Sequence, residues 1–298
     1  MKTLTGLASI VLALTVVLSG CGQKAATSSP STPSKETAAA PTSQAAAPAA
    51  PADSGSQATD ENTLEKIKKA GKIVIGTGGN YRPFNYMNEK NELVGFDIEW
   101  GKIIAEGLGV KPEFVTGQFA GLTPGLLAGK FDILLAGVNV TEERKKSVDF
   151  AEPYGRDGVV AVVNKEGGNN AKSIKDLQGK VVGVIAGATA QAVVKEIGGY
   201  KEIKEYPGET ELFKDLTNKR VDLVSIGRDA AGDFIKTSPD GKKVEIAGDP
   251  YTVVDVAIPL RKNNASLKAA IDKIILDKKK DGTYQKLAQE HFGLKFDK

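Results

Sequence analysis

The stretch that decides the fold runs from Asp97 to Ala136 and reads DIEWGKIIAEGLGVKPEFVTGQFAGLTPGLLAGKFDILLA. Two parts of it, Asp97–Leu108 and Gly121–Leu127, have the apolar spacing of helices, and each is followed by a short apolar run, Val110–Val115 and Phe131–Ala136. Helices and strands that alternate in this way are typical of an α/β protein with a largely parallel sheet. We therefore predict that this stretch forms helix–strand units of a sheet covered by helices.

The same alternation continues on both sides of this stretch. The further predicted helices are Leu64–Ala70, Ala188–Ile197, Glu209–Thr217 and two after Asn263, and the further strands are Lys72–Thr77, Lys180–Ile185 and Val221–Ile226. Two strand-like segments, Gly158–Asn164 and Thr252–Leu260, have no helix of their own, and we interpret them as crossovers between two lobes. We predict one lobe from residues 61–156 plus 252–298 and a second from residues 157–251, with a short helix capped by Ser173 near its start.

The first twenty residues have the pattern of a secretion signal. Lys2 precedes an apolar run, Leu4–Val17, that is shorter than the ~20 residues a transmembrane helix needs. Leu18-Ser-Gly-Cys21 follows and resembles a lipobox, in which the cysteine is diacylated and becomes the new N-terminus. We expect residues 1–20 to be a lipoprotein signal peptide and Cys21 to carry the lipid, palmitate included. An ordinary signal peptide that ends in a chance cysteine is the alternative.

Residues 21–60 consist mainly of Ala, Ser, Thr, Pro and Gln, with almost no large apolar side chain. Such a composition does not offset the entropy cost of folding. We predict a disordered tether with a reach of roughly 35 Å on the flexible-coil scale. The lobes would then be held outside the cytoplasm, at the cell surface or in the periplasm, by a lipid anchor in the membrane.

The charge balance and the scarcity of His and Cys exclude several classes of function. Lys and Arg number 40 and Asp and Glu 37, spread along the chain, so no basic patch for nucleic acid stands out. His291 is the only histidine and Cys21 the only cysteine, which argues against His-rich metal sites and against Ser-His-Asp or Cys-His catalysis. The run Gly76–Tyr81 lacks the third glycine of a dinucleotide fingerprint. We therefore expect no cofactor and no bound metal.

Eight short motifs follow one another along the predicted lobes. They are YRPF at Tyr81–Phe84, LVGFD at Leu93–Asp97, GLTPGLLAGKFD at Gly121–Asp132, TEER at Thr141–Arg144, DFAEPY at Asp149–Tyr154, LQGK at Leu177–Lys180, GVIAGAT at Gly183–Thr189 and DGTY at Asp281–Tyr284. Together they resemble the bacterial extracellular solute-binding proteins of family 3, the receptors of amino-acid ABC importers. The resemblance extends over about Leu64–Leu294.

The resemblance implies a type II periplasmic-binding-protein-like α/β fold, in which two lobes, each a sheet flanked by helices, are joined by two crossover strands. It also implies a monomer that binds a small amino-acid-like solute between the lobes and delivers it to ABC permease subunits, without enzymatic activity. Two alternatives stay open. One is a lyase of the cyclohexadienyl dehydratase type, with Asp157, Asp229 and Glu152 as candidate acid and base. The other is a ligand-sensing partner of a separate receptor.

Arg144 is the first candidate binding residue. It follows a predicted strand end at Val138–Thr141, where a guanidinium can hold a carboxylate through two parallel hydrogen bonds. The resemblance implies that this arginine binds the α-carboxylate of the ligand. The alternative is a surface arginine paired with Glu142 or Glu143.

Aromatic and small residues would complete the pocket. Tyr81, Phe84 and Phe119 supply flat apolar walls, with core packing as the alternative for each. Ala188 and Thr189 join a strand to a helix, and the free amides at that helix start favour an anion. We expect these two residues to share the ligand carboxylate with Arg144, unless they form a plain helix N-cap.

Other positions bear on the amino group of the ligand. The carbonyl of Gly137 and the side-chain amide of Asn139 stand where relatives use backbone and a hydroxyl residue. Gly227 stands where many relatives have an aspartate that binds the α-ammonium. Either Asp157 or Asp229 therefore substitutes, or the ligand lacks a free α-amino group.

Two further positions bear on the ligand side chain. Gly78 stands where some receptors of cationic amino acids place an acid. Arg156 matches a position that in relatives can touch the ligand side chain. The cleft thus loses negative charge and keeps positive charge, which predicts a neutral or acidic ligand.

Overall fold

The computed structural model describes residues 62–166 and 171–293. In chain order its strands are β1 (Lys72–Thr77), β2 (Asn80–Tyr81), β3 (Asn85–Met87), β4 (Leu93–Val94), β5 (Lys111–Thr116), β6 (Ile133–Leu134), β7 (Val148–Phe150), β8 (Gly155–Asn164), β9 (Val181–Ile185), β10 (Glu202–Tyr206), β11 (Leu223–Gly227), β12 (Val244–Ala247), β13 (Val253–Val256) and β14 (Pro259–Arg261). Its helices are α1 (Thr63–Ala70), α2 (Phe96–Leu108), α3 (Phe119–Leu127), α4 (Glu142–Lys145), α5 (Thr189–Ile197), α6 (Glu209–Thr217), α7 (Arg228–Thr237), α8 (Ala265–Lys280) and α9 (Thr283–Phe292). The predicted signal peptide, Cys21, the tether and residues 294–298 lie outside the described residues.

The first lobe is built on a sheet with the strand order β5-β1-β6-β14-β7. β1 runs parallel to β5 and β6, and β14 runs antiparallel to β6 and β7. Both faces of this sheet are covered by helices. Successive side chains of a strand point to opposite sides, so neighbouring residues of one strand join different core clusters. Ile133 joins the core cluster shared with α2 and α8, whereas Leu134 joins the cluster shared with α3. A small antiparallel sheet, β2-β3-β4, extends this lobe.

The second lobe repeats the plan on a sheet with the order β10-β9-β11-β8-β12. β9 is parallel to β10 and β11, and β8 is antiparallel to β11 and β12. Along β8, Val159, Ala161 and Val163 face the cluster that includes α5, while Val160 and Val162 face the cluster that includes α6. The long apolar run in β8 is thus explained by burial on both sides.

The lobes are joined by the pair β8 and β13. Gly155–Gly158, the first part of β8, lies antiparallel to Val253–Val256 before β8 continues into the second sheet. β13 leads back to β14 in the first sheet. The predicted two-lobed α/β fold with two crossover strands is confirmed, whereas the lobe boundaries at 156/157 and 251/252 stay predictions.

One predicted element is wrong. Ser173 does not cap a helix, because residues 173–175 form a bend and a turn. The Asp176 carboxylate accepts the N–H groups of Lys172 and Ser173, and such side-chain bonds to the backbone compete with helix formation. Within 62–166 and 171–293, no helix is both long and apolar enough to cross a membrane.

Candidate binding cleft

A cleft lies where the carboxyl ends of β1 and β6 in the first lobe face those of β9 and β11 in the second. Its empty space is about 650 Å³, including the part open to solvent. Its walls are formed by Gly78, Asn80, Tyr81, Asn85, Phe119, Ala136, Gly137, Asn139, Asp157, Gly158, Val159, Ile185, Ala188, Thr189, Ala190, Ser225, Ile226 and Gly227. Asp157 is the one acidic or basic residue among them.

The aromatic wall of the cleft has two layers. Tyr81 lines the cleft and stacks on Phe84, with ring centroids 5.4 Å apart and planes at 13°. Phe84 is only 2% exposed and lies behind Tyr81 in the core, so it supports the wall without lining it. Burial raises the pKa of the Tyr81 phenol well above its ordinary value, which keeps the ring neutral. Phe119, the first residue of α3, lines the opposite part.

The Arg144 guanidinium lies at one end of the cleft. It donates to the carbonyl of Asn139 at 2.8 Å, to the Thr189 hydroxyl at 3.2 Å and to the carbonyl of Gly187 at 3.1 Å. Burial lowers its pKa to about 10, so it remains a cation at neutral pH. The ring of Phe119 lies 5.5 Å below the guanidinium carbon.

Local structure explains how Arg144 is aimed. Thr141 caps the short helix α4 by accepting the N–H of Arg144 at 3.2 Å. The two acids that follow Thr141 pair elsewhere, Glu142 with Lys145 and Glu143 with Lys146. Among the described residues no carboxylate lies within ion-pair distance of Arg144, so a surface ion pair is not what holds this side chain.

Asp157 marks the other charged wall of the cleft. It stands in β8 and is 7% exposed. Its Oδ1 accepts the N–H of Gly158 at 2.7 Å and that of Asp229 at 3.3 Å. Burial, and after it the charge of Asp229, raises the pKa of Asp157 to about 7. Part of the Asp157 population is therefore protonated near neutral pH unless a cation lies beside it.

Gly227 makes room for that carboxylate. A Cβ placed on Gly227 would lie 2.1 Å from Asp157 Oδ2 and 2.5 Å from the Tyr81 hydroxyl oxygen. Both distances are far below van der Waals contact. The Asp157 carboxylate and a side chain at position 227 are therefore mutually exclusive in this arrangement.

A buried polar network supports the loop below Tyr81. The Asn85 amide donates to Asp97 Oδ2 at 2.7 Å, the Tyr154 hydroxyl donates to Asp97 Oδ1 at 2.6 Å, and the N–H of Gly79 reaches Asn85 Oδ1 at 2.8 Å. Burial raises the pKa of Asp97 to about 6. The conspicuous acid of the LVGFD motif thus positions the loop and does not line the cleft.

The lobes also contact each other away from Arg144. The Asn80 amide donates to the carbonyl of Pro207 at 3.3 Å, the N–H of Arg82 donates to Glu209 Oε1 at 3.0 Å, and the Arg82 guanidinium lies 2.9 Å from Asp233 Oδ2. With the bonds from Arg144 to Gly187 and Thr189, these contacts hold the two lobes closed over the cleft.

Eight predicted site residues line the cleft together: Tyr81, Phe119, Gly137, Asn139, Asp157, Ala188, Thr189 and Gly227. Arg144 donates hydrogen bonds to two of these residues, Asn139 and Thr189. Gly137 adopts a positive φ of 58°, and a Cβ there would lie 3.2 Å from the Tyr81 ring. A glycine is thus favoured at this point, where the strand end approaches the aromatic wall.

Other predicted residues lie elsewhere. Arg156 has a side chain 65% exposed that pairs with Asp255 at 3.2 Å. The side chain of Asp229 faces a neighbouring groove, although its backbone N–H reaches Asp157. Glu152 pairs with Lys279 of α8 at 2.8 Å, outside the cleft. Glu152 is therefore not placed to act on a molecule bound in the cleft.

The lining residues that the sequence did not predict are Asn80, Asn85, Ala136, Gly158, Val159, Ile185, Ala190, Ser225 and Ile226. Asn80 and Asn85 flank the quoted YRPF motif, and their amides were the available signal. Ser225 and Ile226 stand at the carboxyl end of a predicted strand, where ligands of α/β sheets bind. The described residues contain no group of three or more His, Cys, Asp or Glu that could hold a metal ion.

Two α/β lobes closed over a cleft that carries a guanidinium at one end and a carboxylate in its wall define a two-lobed solute-binding protein. Residues 73–294 match the family model of bacterial extracellular solute-binding proteins, family 3, and the chain belongs to this family. Its relatives include amino-acid-binding periplasmic proteins of ABC transporters.

Individual relatives cover most of the chain. The L-cystine-binding protein TcyJ of Escherichia coli is 30% identical over 78% of this chain and 87% of its own length. The structure of an ancestral arginine-binding protein bound to arginine is 40% identical, with a TM-score of 0.71, over 75% of this chain and 99% of that chain. An ancestral amino acid-binding protein, described as a precursor of cyclohexadienyl dehydratase, is 33% identical, with a TM-score of 0.72, over 77% and 99% of the two chains.

Proposed function

We propose that this protein captures an amino acid or similar small carboxylate outside the cytoplasm and delivers it to the permease of an ABC importer. One observation carries the proposal: the Arg144 guanidinium bonds to both lobes at the cleft end and has no carboxylate partner among the described residues. Guanidinium groups bind carboxylates through short, charge-assisted and often bidentate hydrogen bonds. A ligand carboxylate beside Arg144 would supply the missing anion.

Closure follows from the same geometry. Thr189 and Gly187 belong to the second lobe, and Arg144 to the first. A carboxylate held at this point contacts both lobes at once, and a ligand stabilises a conformation only by binding it better than the alternatives. The closed form would be the form that the permease recognises as loaded.

The ligand side chain is proposed to be neutral or acidic. Apart from Asp157, the lining side chains are uncharged, and Gly78 leaves no acid beside Asn80 and Asn85 for a cationic side chain. Apolar contact with Tyr81 and Phe119 suits the hydrocarbon part of an amino acid. Arginine is nevertheless the sharpest competitor, because an arginine-bound neighbour shares the fold.

A ligand screen tests this proposal. Thermal unfolding would be followed with the common L-amino acids and with simple carboxylates, because a binder raises the melting temperature according to its concentration and Kd. We expect the largest shift from a neutral or acidic L-amino acid, with calorimetry giving its Kd. Nanomolar binding of L-arginine or L-lysine would overturn the proposed side-chain preference. A screen in which no amino acid or carboxylate shifts the melting curve would overturn the function itself.

The anchor is a separate proposal, since Cys21 lies outside the described residues. A diacylated cysteine holds a protein on a membrane stably, where a single chain does not. Intact mass spectrometry and membrane fractionation of Cys21→Ser against the unchanged protein would test it. We expect the unchanged protein to carry the lipid mass and to lie in the membrane fraction, and we expect Cys21→Ser to lack that mass; an unchanged protein without the lipid mass would contradict the anchor.

A lyase activity is the second candidate, and one observation favours it. Asp157 is a buried carboxyl of the cleft with its pKa raised to about 7, as a general acid at neutral pH requires. The likeness to a dehydratase precursor points the same way. Incubation with prephenate or arogenate would show an aromatic product if the activity exists, and Asp157→Asn would abolish it. No product above the buffer blank would leave solute binding as the function.

A further inference from the structure

The carboxylate of Asp157 is an acidic group of the cleft that no basic side chain of the described residues neutralises. Asp157 is the one acidic or basic residue of the cleft lining. The hydrogen-bond partners of its carboxylate are neutral backbone N–H groups: those of Gly158 and Asp229, both of which reach Oδ1, and that of Arg228. No Lys or Arg among the described residues lies within ion-pair distance of it. A buried carboxylate in such surroundings favours any cation that enters the cleft.

The position of the second carboxylate oxygen is defined by its neighbours. Asp157 Oδ2 lies 2.1 Å from the position that a Cβ of residue 227 would take, and the Tyr81 hydroxyl oxygen lies 2.5 Å from that same position. Residue 227 ends β11 and borders the cleft. The acid that serves this part of the cleft therefore comes from the crossover strand β8, through the space that glycine leaves at the end of β11.

We propose that Asp157 binds the α-ammonium group of the ligand, and that glycine at position 227 is the feature that admits its carboxylate. This inference rests on the function proposed above and deepens it. Asp157 lines the cleft, and Arg144 bonds to two of its lining residues, Asn139 and Thr189. The two side chains therefore offer one negative and one positive group, which are the charges that complement the ammonium and the carboxylate of an α-amino acid. A carboxylate without an amino group would leave Asp157 buried and unpaired, at a cost in affinity.

The assignment of Arg144 and Asp157 to the two charged groups of the ligand also explains why a cationic ligand side chain would be disfavoured. With Asp157 engaged by the α-ammonium, the lining offers no further acid to a cationic side chain. The other side chains that line the cleft, Asn80 and Phe119 among them, are uncharged. The assignment thus narrows the ligand to an α-amino acid, and it removes the alternative of a ligand without a free amino group.

The experiment pairs each amino acid with its des-amino carboxylic acid, for example L-glutamine with 4-carbamoylbutanoate. Calorimetry would measure both members of the pair that contains the tightest amino-acid ligand, on the full mature chain. For the unchanged protein we expect the amino acid to bind at least about 30-fold more tightly than its des-amino partner, as the loss of a buried charged partner predicts. For Asp157→Asn we expect this ratio to fall close to one, mainly through weaker binding of the amino acid.

Variants that move the acidic side chain from position 157 to position 227 test the role of Gly227. Gly227→Asp alone should lose binding, because its side chain collides with the Asp157 carboxylate. The double variant Asp157→Gly with Gly227→Asp moves the acid from β8 to β11, and we expect it to recover at least about tenfold in affinity over either single variant. Asp255→Asn is the matched control, since this acid stands on the partner strand β13 and its half-exposed side chain faces Arg156. Circular dichroism melts would verify that each variant folds.

The outcomes separate the two proposals. If neither member of any pair binds the unchanged protein, the proposed function fails and the ammonium assignment fails with it. If the amino acid binds but Asp157→Asn leaves the ratio of the two affinities unchanged, only the assignment of Asp157 is overturned. If the double variant folds and binds no better than its single parents, Gly227 does not admit the acid in the way proposed.

Discussion

The two charged ends of the cleft are built in different ways. Arg144 stands in the short helix α4, directly after the cap residue Thr141, and three neighbouring oxygen atoms hold its guanidinium. Asp157 stands in a crossover strand and reaches into space left by a glycine of another strand. The first end is a local motif, whereas the second depends on two strands that meet only in the folded protein.

Arg144 and Asp157 also differ in how strongly their ionisation depends on pH. Burial lowers the pKa of Arg144 only to about 10, so the guanidinium stays charged throughout the physiological range. Burial raises the pKa of Asp157 to about 7, so its charge depends on what lies beside it. The arginine end is thus ready for an anion at any time, while the aspartate end becomes fully charged when a cation arrives.

The largest expected effect is at the arginine end. Arg144→Ala should weaken both an amino acid and its des-amino partner by at least about 100-fold, because both present a carboxylate and lose a buried charged partner. Calorimetry on the same ligand pair checks this. Arg220→Ala is the matched control, an exposed arginine of the second lobe that pairs with Asp215. If Arg144→Ala weakened only the amino acid, the division of labour between the two ends would be wrong.

A smaller effect is expected from a methyl group at the aspartate end. In Gly227→Ala the new Cβ would lie 2.1 Å from Asp157 Oδ2, so the carboxylate has to move. We expect about tenfold weaker binding of the amino acid, with little change for the des-amino partner, since misplacing one charged contact costs roughly 1–2 kcal/mol.

Gly232→Ala serves as the control for that substitution. Gly232 lies within α7, and a Cβ there meets no atom within 4 Å. Because alanine favours helix over glycine by about 1 kcal/mol, this variant should bind normally and melt at a slightly higher temperature. Equal losses in Gly227→Ala and Gly232→Ala would contradict the steric explanation.

The smallest effect concerns the contact between the lobes at Glu209. Its Oε1 accepts the N–H of Arg82, Arg82 and Asp233 are the charged groups beside it, and burial raises its pKa to about 8. The N–H of Arg82 from the other lobe lowers this pKa, so burial is the cause of the rise. We expect closure to supply part of that burial; the closed form is then favoured while Glu209 is protonated, and this contribution is lost as the pH rises from the ordinary range of a glutamate through about 8. The contribution of Glu209 to the affinity should therefore fall about three- to tenfold between neutral and alkaline pH.

Glu209→Gln separates this effect from other titrations. The glutamine keeps an oxygen acceptor for the Arg82 N–H but has no proton to lose. We expect the ratio of wild-type to variant affinity to decrease as the pH rises from about 7 to about 9, which brackets the pKa of Glu209. Glu211→Gln, an exposed acid in the same first turn of α6, should show no such trend. A constant ratio for Glu209→Gln would exclude Glu209 as a pH-dependent contact.

Much of the fold was predictable because its signals are local. The bounds of β1 and α6 agree with the predicted Lys72–Thr77 and Glu209–Thr217, where apolar periodicity and flanking glycines mark the ends. The helix predicted at Ser173 failed for an equally local reason, since Asp176 bonds to the backbone in a turn instead. Periodicity does not reveal which of two backbone conformations a polar side chain stabilises.

The candidate site was predictable in part. Tyr81 follows a predicted strand and Phe119 precedes a predicted helix, so both could be chosen from the sequence, and both line the cleft. Phe84 could not be separated from Tyr81 by sequence, because the two rings stack and only their order from core to cleft tells them apart. Glu152 looked like an acid near the crossover, yet its partner is Lys279, which is distant in sequence.

The sequence by itself determined the alternation of helices and strands, the two crossovers and the arginine that follows Thr141, because each depends on residues a few positions apart. Gly227 stands where many relatives have an aspartate, and the sequence left three explanations open: Asp157 replaces that acid, Asp229 replaces it, or the ligand has no free α-amino group. Only the tertiary structure decided that Asp157 fills that space, since its contact with Asp229 joins residues 72 positions apart. Such a contact depends on the register of β8 against β11, and register is set by the packing of both lobes.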